Sequence, residues 1–339
     1  MKIFRYILIL ALAAFIIAAR LNVNIGEWYA VTIYPIVSSV LSFSVSWIPF
    51  SMEEVLVIAA AVLIIATAVK GIRQRKAKAI LSILEIIAWI SIWFYLGWGM
   101  NYFRKSIYSR GGIERQQYDE QTFRNFLKDY TDSLNNAYTV LPETMEYSDF
   151  DYDIKGKFSE IPKEYGLSLP QKWHKPKNLL FNKLYSSVGV AGYIGPFFSE
   201  IQVNEDVLPG QKPFSYAHEL SHLLGVSNED EANFWAYRTS RSSEIQSVRY
   251  SGYFSLLPYV LSNASRVLDP EEYKAYQHSI RPEILQQLID QQNYWKSKYN
   301  NTLGKIQSRI YDAMLKGNKV SSGTKNYMQV IDLIIATEY

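Results

Sequence analysis

The chain has no cysteine in its 339 residues. That excludes a disulfide framework, a thiolate-ligated metal and a thiol nucleophile, and leaves the redox compartment open. Histidine is scarce too: His174, His218, His222 and His278 are the whole supply. An excess of charge of one sign is also lacking, with 35 Lys+Arg against 32 Asp+Glu and a formal net charge of +3. So small a balance gives no electrostatic footprint for nucleic acid, and no block of like charge has the length of a disordered tail. Internal repeats and low-complexity tracts are missing after residue 101.

Long apolar runs are abundant, but only in residues 1–100, which read as a membrane domain ahead of a polar domain over 101–339. Ile3 to Ala19 is interrupted by Arg5 alone, Val55 to Val69 carries no charge, and Ala79 to Met100 carries only Glu85. A helix needs about 17–25 apolar residues to cross a bilayer, so three spans are expected. The first run fits a cleaved secretory signal or an uncleaved anchor, and the two later runs favour the anchor. Trp and Tyr gather toward one end of the third run, as at a membrane interface. Trp28 to Phe50 is apolar but broken by Pro35, Pro49 and several Ser, which reads as an interfacial or re-entrant segment. Reading it as a fourth span would invert the topology. Glu85 inside a span is costly and has to face another helix or water.

Between the second and third runs lie Lys70, Arg73, Arg75, Lys76 and Lys78, whereas residues 21–54 contain no Lys or Arg. The positive-inside rule puts that basic loop in the cytoplasm and everything after about Asn101 outside it. The expected location is the inner (cytoplasmic) membrane, with the C-terminal domain on the outer, periplasmic side. Arg104, Lys105, Arg110 and Arg115, just after the third span, weigh against this orientation.

The polar part reads as mainly helical. Tyr118 to Val140 places Phe123, Phe126, Leu127, Tyr130 and Leu134 on one helical stripe. Asp149 to Pro176 reads as loops, and Leu179 to Asn204 as turns followed by a short strand. Pro282 to Lys316 reads as one long helix or two, broken near Gly304.

Chemistry is concentrated in residues 214–237, FSYAHELSHLLGVSNEDEANFWAY. His218 and His222 are four apart, one turn along one helix face, so both imidazoles can meet one Zn²⁺. Glu219 beside the first His is placed to take a proton from water at the open position and pass it to a leaving amine. Ser215, after Pro213, is expected to cap this helix, and Gly225 to end it in a left-handed conformation. Ser227 is expected to cap the next helix, with Asp230 as its capping-box acid.

A catalytic zinc site needs a third protein ligand. A metzincin would have His at position 228, where this chain has Asn228. Glu229 and Asn233, one turn apart, resemble the E-x-x-x-D/N pattern of thermolysin-like and membrane-embedded gluzincins. That resemblance implies Glu229 as ligand and Asn233 as the group orienting a zinc His, with Glu231 as the competing ligand. Phe198 to Asn204 is a candidate edge strand for pairing with an extended substrate, or equally an ordinary core strand. Tyr237, Arg238, Tyr250 and His278 are candidates for stabilising an oxyanion, and none stands out. His174, in a WHKPK loop, reads as a surface histidine.

The N-terminal span, WIPFS at 47–51, LGWGMNYFR at 96–104, GVAGYIGPFFSE at 189–200, HELSHLLG with EDEANF, and the C-terminal YDAMLKGNKVSSGTKNYMQVIDLI together resemble an uncharacterised bacterial family of membrane-anchored zinc metallopeptidases, a domain of unknown function. The resemblance implies an envelope location and peptidase activity. The expected fold is a mainly α membrane protein: three N-terminal transmembrane helices, then a mostly helical zincin-like, gluzincin-type domain with a small β-sheet. The expected cofactor is Zn²⁺, and the expected partners are a peptide or protein of the envelope and the bilayer. Rival expectations are a metal-binding sensor or scaffold without turnover, and a zinc hydrolase of a non-peptide bond. Glu219 speaks for catalysis, since a purely structural zinc site has no use for an acid there.

Overall fold

The computed structural model describes residues 2–74, 78–114, 118–320 and 329–339. Arg75, Lys76, Arg115 and residues 321–328 of the C-terminal segment lie outside the described residues. The fold is mostly helical, with one three-stranded sheet.

Among the described residues, three helices are long and apolar enough to cross a membrane: α1 (Lys2–Leu21), α4 (Met52–Arg73) and α5 (Lys78–Gly97). Their outer surfaces expose Ile7, Leu10, Val57, Val62, Ile65, Leu81 and Leu84, which in water would be a large unfavourable area and in lipid is neutral. Glu85 of α5 pairs with Arg5 of α1 at 3.3 Å, so the charge inside the span does face another helix. The third helix ends at Gly97, short of Met100, and a 3₁₀ turn over Gly99–Phe103 leads the chain out.

Residues 23–44 are helical throughout: α2 (Val23–Trp28), a π turn (Tyr29–Ile33) and α3 (Tyr34–Ser44). The interruptions expected at Pro35 and the serines do not break it; Pro35 falls directly after the π turn, in the first turn of α3. Ile36, Val40, Phe43 and Trp47 form an exposed apolar stripe along this segment.

The polar part comprises α6 (Ile107–Gly111), α7 (Glu120–Ala137), α8 (Asp151–Ser159), β1 (Pro176–Lys177), α9 (Asn182–Ser187), β2 (Gly192–Gly195), β3 (Glu200–Val203), α10 (Lys212–Leu223), α11 (Glu229–Arg241), α12 (Gln246–Val267), α13 (Pro270–Ser279), α14 (Pro282–Lys298), α15 (Asn301–Gly317) and α16 (Val330–Glu338). The expected stripe of α7 is buried in full, from Phe123 to Leu134. It packs in one core with Tyr216, Leu220, Trp235, Phe254 and the apolar face of α16. Each such side chain contributes about 1.5–3 kcal/mol by leaving water.

Several local expectations are corrected. Residues 149–176 hold helix α8, whose Ile154 and Phe158 reach the core. The break in the C-terminal helical stretch falls at Tyr299–Asn300, where the Asn300 side chain caps α15, and not at Gly304. The strand expected over Phe198 to Asn204 is β3, and it is central: the sheet order is β1-β3-β2, and all four β3 residues are buried. The edges are β1, parallel to β3, and β2, antiparallel to it with Gly192 opposite Val203 and Gly195 opposite Glu200.

The polar part meets the three long apolar helices at the end opposite Lys70 and Lys78. Glu54, in the first turn of α4, accepts from Leu180 N at 2.6 Å and from Phe181 N at 3.3 Å. In α5, Trp93 Nε1 donates to Phe197 O at 2.8 Å. At the end of α1, Arg20 donates to Gly317 O at 2.7 Å. Arg104 and Arg110, two of the four cations that weigh against the orientation, are buried in ion pairs with Glu27 and Glu231. Their positions therefore answer to packing rather than to membrane sidedness.

Candidate metal centre

Helix α10 begins earlier than its motif requires. Pro213 occupies its first turn and Gln211 its N-cap, so Ser215 lies inside the helix and is not its cap. The helix stops at Leu223, and Gly225 follows at φ +102°, in the left-handed region expected of it. Asn228, not Ser227, is the N-cap of α11, and the Ser227 hydroxyl donates instead to Asn101 O at 2.9 Å.

The return from α10 to α11 brings three side chains together. His218 Nε2 lies 3.1 Å from Glu229 Oε2 and 3.1 Å from His222 Nε2, and His222 Nε2 lies 3.4 Å from Glu229 Oε2. Among the described residues these three form the one His/acid cluster with atoms close enough to share a metal ion, all within 4.8 Å of one another. Glu231, two residues on in the same helix, turns away. It pairs with Arg110 of α6 and accepts from Trp235 Nε1 at 3.1 Å.

The second nitrogen of each imidazole is engaged. His222 Nδ1 lies 2.8 Å from Val226 O, which accepts only, so this ring carries its proton on Nδ1. His218 Nδ1 lies 2.9 Å from Asn233 Oδ1, with the same consequence in the assigned amide orientation. Both Nε2 atoms then present lone pairs to each other and to a carboxylate oxygen. Three acceptors at 3.1–3.4 Å repel unless a positive charge sits among them. Burial works against a charge on His222, but the Glu229 carboxylate outweighs it and pushes this imidazole up to about 9. The same imidazoles hold Glu229 well below the usual carboxylate range, although burial opposes this. The pocket selects a cation, and a proton is the minimal one.

The donor set fits a tetrahedral zinc. N and O ligands at about 2.0–2.1 Å in that geometry lie about 3.3–3.4 Å apart, close to the spacing found here. Glu219 lies beside the cluster, buried, and its Oε2 has no hydrogen-bond partner among the described residues. Burial pushes its carboxyl up to about 7, with the two imidazoles pulling it down and Glu229 raising it. Edge strand β2 runs directly past it: a Cβ on Gly192 would lie 2.8 Å from Glu219 Oε1, so only glycine permits this approach.

Residues of α3 and of the turn after α5 complete the frame. Trp98, the first residue after α5, donates from Nε1 to His222 O at 2.8 Å, and its ring stands edge-on to the His222 ring at 6.1 Å. Tyr34 of α3 donates to Leu223 O at 2.7 Å, and Arg104 to Gly225 O at 3.0 Å. Leu223 O, at the helix end, is thus taken by Tyr34, while His222 O, which already accepts from Gly225 N at 3.1 Å, receives a second bond from Trp98.

None of the four residues considered for an oxyanion role has a partner in the cluster. Tyr250 donates to Gln287 at 2.6 Å, Tyr237 lies against Arg241, Arg238 lies over the Phe234 and Trp235 rings, and His278 is exposed at the end of α13. The tyrosines that do surround Glu229 are others. Tyr311 of α15 donates to its Oε1, and burial beside its charge raises Tyr102 above the usual tyrosine range and pushes Tyr259 up to about 12. Among 26 tyrosines, no local signature marks these three. His174 is not a surface residue. It is buried, its Nδ1 accepts from Gln171 N at 3.1 Å, and its Nε2 lies 3.2 Å from Ser42 Oγ. Burial, with Lys155 nearby, pulls it down to about 3, so it serves as a neutral tie between α3 and the polar part.

A family model described as Protein of unknown function (DUF3810) matches residues 29–335, from the π turn after α2 into the last helix. No curated protein and no solved structure matches the chain significantly.

Proposed function

We propose for this chain, which belongs to the DUF3810 family of proteins of unknown function, the activity of a zinc-dependent peptidase working at a membrane surface. The observation that carries the proposal is the meeting of two imidazole lone pairs and a carboxylate oxygen at 3.1–3.4 Å, with a buried, unpartnered carboxyl oxygen on Glu219 beside them. His218, His222 and Glu229 would hold the ion, and Asn233 and Val226 O fix the rings that face it. Zinc, when bound, supplies Lewis acidity toward water and a substrate carbonyl. Glu219 takes a proton from the attacking water and returns it to the leaving amine. β2 is an edge strand with no strand paired on its outer side among the described residues, a place where an extended substrate backbone could add, which favours a polypeptide over other substrates. The basic residues Lys70, Arg73 and Lys78 at the far end of the spans support an outward-facing domain in the cell envelope.

A sensor or scaffold without turnover would need the ligands but not Glu219. Purified protein is therefore expected to carry about one zinc per chain. Glu219→Gln is expected to keep that zinc and lose about 10²–10⁴-fold in hydrolysis of a quenched-fluorescence peptide mixture. Because Glu219 has to be ionised to accept a proton, the wild-type rate falls as pH drops toward and below about 7, and the cation's charge draws that limb lower. A Glu219→Gln protein as active as wild type removes the catalytic proposal and leaves the sensor.

A further inference from the structure

Helix α15 presents a face that no other part of the described chain covers. Leu303, Ile306, Ile310 and Met314 follow helical spacing and are 40%, 51%, 67% and 37% exposed. Lys305, Arg309 and Lys316, the last paired with Asp312 at 2.7 Å, share the neighbouring face by the same spacing. The buried side carries Gly304, Leu315 and Tyr311, the last reaching Glu229. Apolar, basic and inward faces in one helix of 17 residues form the pattern of a helix lying in a membrane interface.

Both ends of α15 are tied to the rim where the spans leave the lipid. At its C-terminus, Gly317 O accepts from Arg20, the penultimate residue of α1, and Tyr95 of α5 donates to Asn318 Oδ1 at 3.0 Å. At its N-terminus, Asn300 N donates to Ser187 O at 2.8 Å, the last residue of α9. The start of α9 is in turn fixed to Glu54 in the first turn of α4 through Leu180 N and Phe181 N. A helix about 25 Å long thus bridges the ends of all three spans. Leu180, Phe181 and Leu184 around α9 are 48%, 47% and 53% exposed and extend the same apolar surface.

We infer that α15 and the 180–184 segment are seated in the lipid–water interface of the bilayer that holds α1, α4 and α5, with the apolar stripe in lipid and Lys305, Arg309 and Lys316 toward anionic headgroups. The inference rests on reading those helices as spans and not on the peptidase proposal, so either can fail alone. α15 then lies between the lipid and the candidate metal centre, with Tyr311 as its contact with that centre.

The absence of cysteine makes a direct test simple. Four single-cysteine variants of the full chain, Ile306→Cys, Ile310→Cys, Lys305→Cys and Arg309→Cys, are spin-labelled and placed in phosphatidylcholine/phosphatidylglycerol nanodiscs. The ratio of collisions with oxygen to collisions with a water-soluble nickel chelate is expected to be at least about threefold higher at 306 and 310 than at 305 and 309. Equal ratios at all four sites would put the stripe in water. Shielding of 306 and 310 from both reagents would put it against protein, such as a second copy. Either result overturns the inference. Labels at four exposed positions leave the fold intact, and circular dichroism and thermal unfolding of each variant verify this.

Discussion

Helix α10 is held in two different ways along its length. Its body is gripped by apolar packing: Tyr216, Ala217, Leu220 and Leu223 are buried against the domain core formed with α11 and α12. Its end is held by directed hydrogen bonds from the membrane part and its exit, with Trp98, Tyr34 and Arg104 taking the carbonyls of His222, Leu223 and Gly225. Packing is non-directional and sets whether the helix forms. Hydrogen bonds fix angles and set where the His222 ring points. The contrast makes α3 and the turn that follows α5 part of the scaffold of the candidate centre.

Three substitutions break or sharpen this contrast. The largest expected effect comes from Arg104, nearly inaccessible, which pairs with Glu27 at 3.0 Å and donates to Gly225 O and Gly166 O. Arg104→Met strands a carboxylate and two carbonyls and is expected to cost about 3–5 kcal/mol, measured by denaturant titration in detergent. A loss of under about 1 kcal/mol would mean that the membrane side holds nothing. Next, Leu220→Ala should cost about 2–5 kcal/mol through a core cavity, while the zinc affinity of the protein that remains folded stays as in wild type. The smallest effect belongs to Trp98→Phe, which keeps the ring contact and loses one hydrogen bond, about 1 kcal/mol of stability. Its zinc affinity, read by chelator competition, should nevertheless fall by up to about tenfold. If Leu220→Ala lowered affinity and Trp98→Phe did not, the roles of body and end would be reversed.

What the sequence made legible is what depends on local periodicity. The three apolar runs, the buried stripe of α7, the HExxH helix and the left-handed Gly225 all follow from neighbours within one or two turns. The pattern drawn from Glu229 and Asn233 is of the same kind, and both side chains meet His218. What escaped is what depends on distant partners. Which of Glu229 and Glu231 faces the histidines is decided by Arg110, 121 positions away from Glu231. His174 sits in a loop of surface composition and is buried by Ser42, 132 positions away. The central position of β3 depends on β1 pairing with it from one side and β2 from the other, and only the latter is a sequence neighbour. Tyr311 reaches Glu229 across 82 positions, with nothing in its own surroundings to mark it.

The central claim is that His218, His222 and Glu229 enclose a single cation, and metal content tests it most directly. X-ray absorption on the purified full chain should find about one zinc with nitrogen and oxygen donors at about 2.0–2.1 Å. The His218→Ala/His222→Ala double variant, folded by circular dichroism, should retain almost none. If that variant bound as much zinc as wild type, the cluster would not be the metal site.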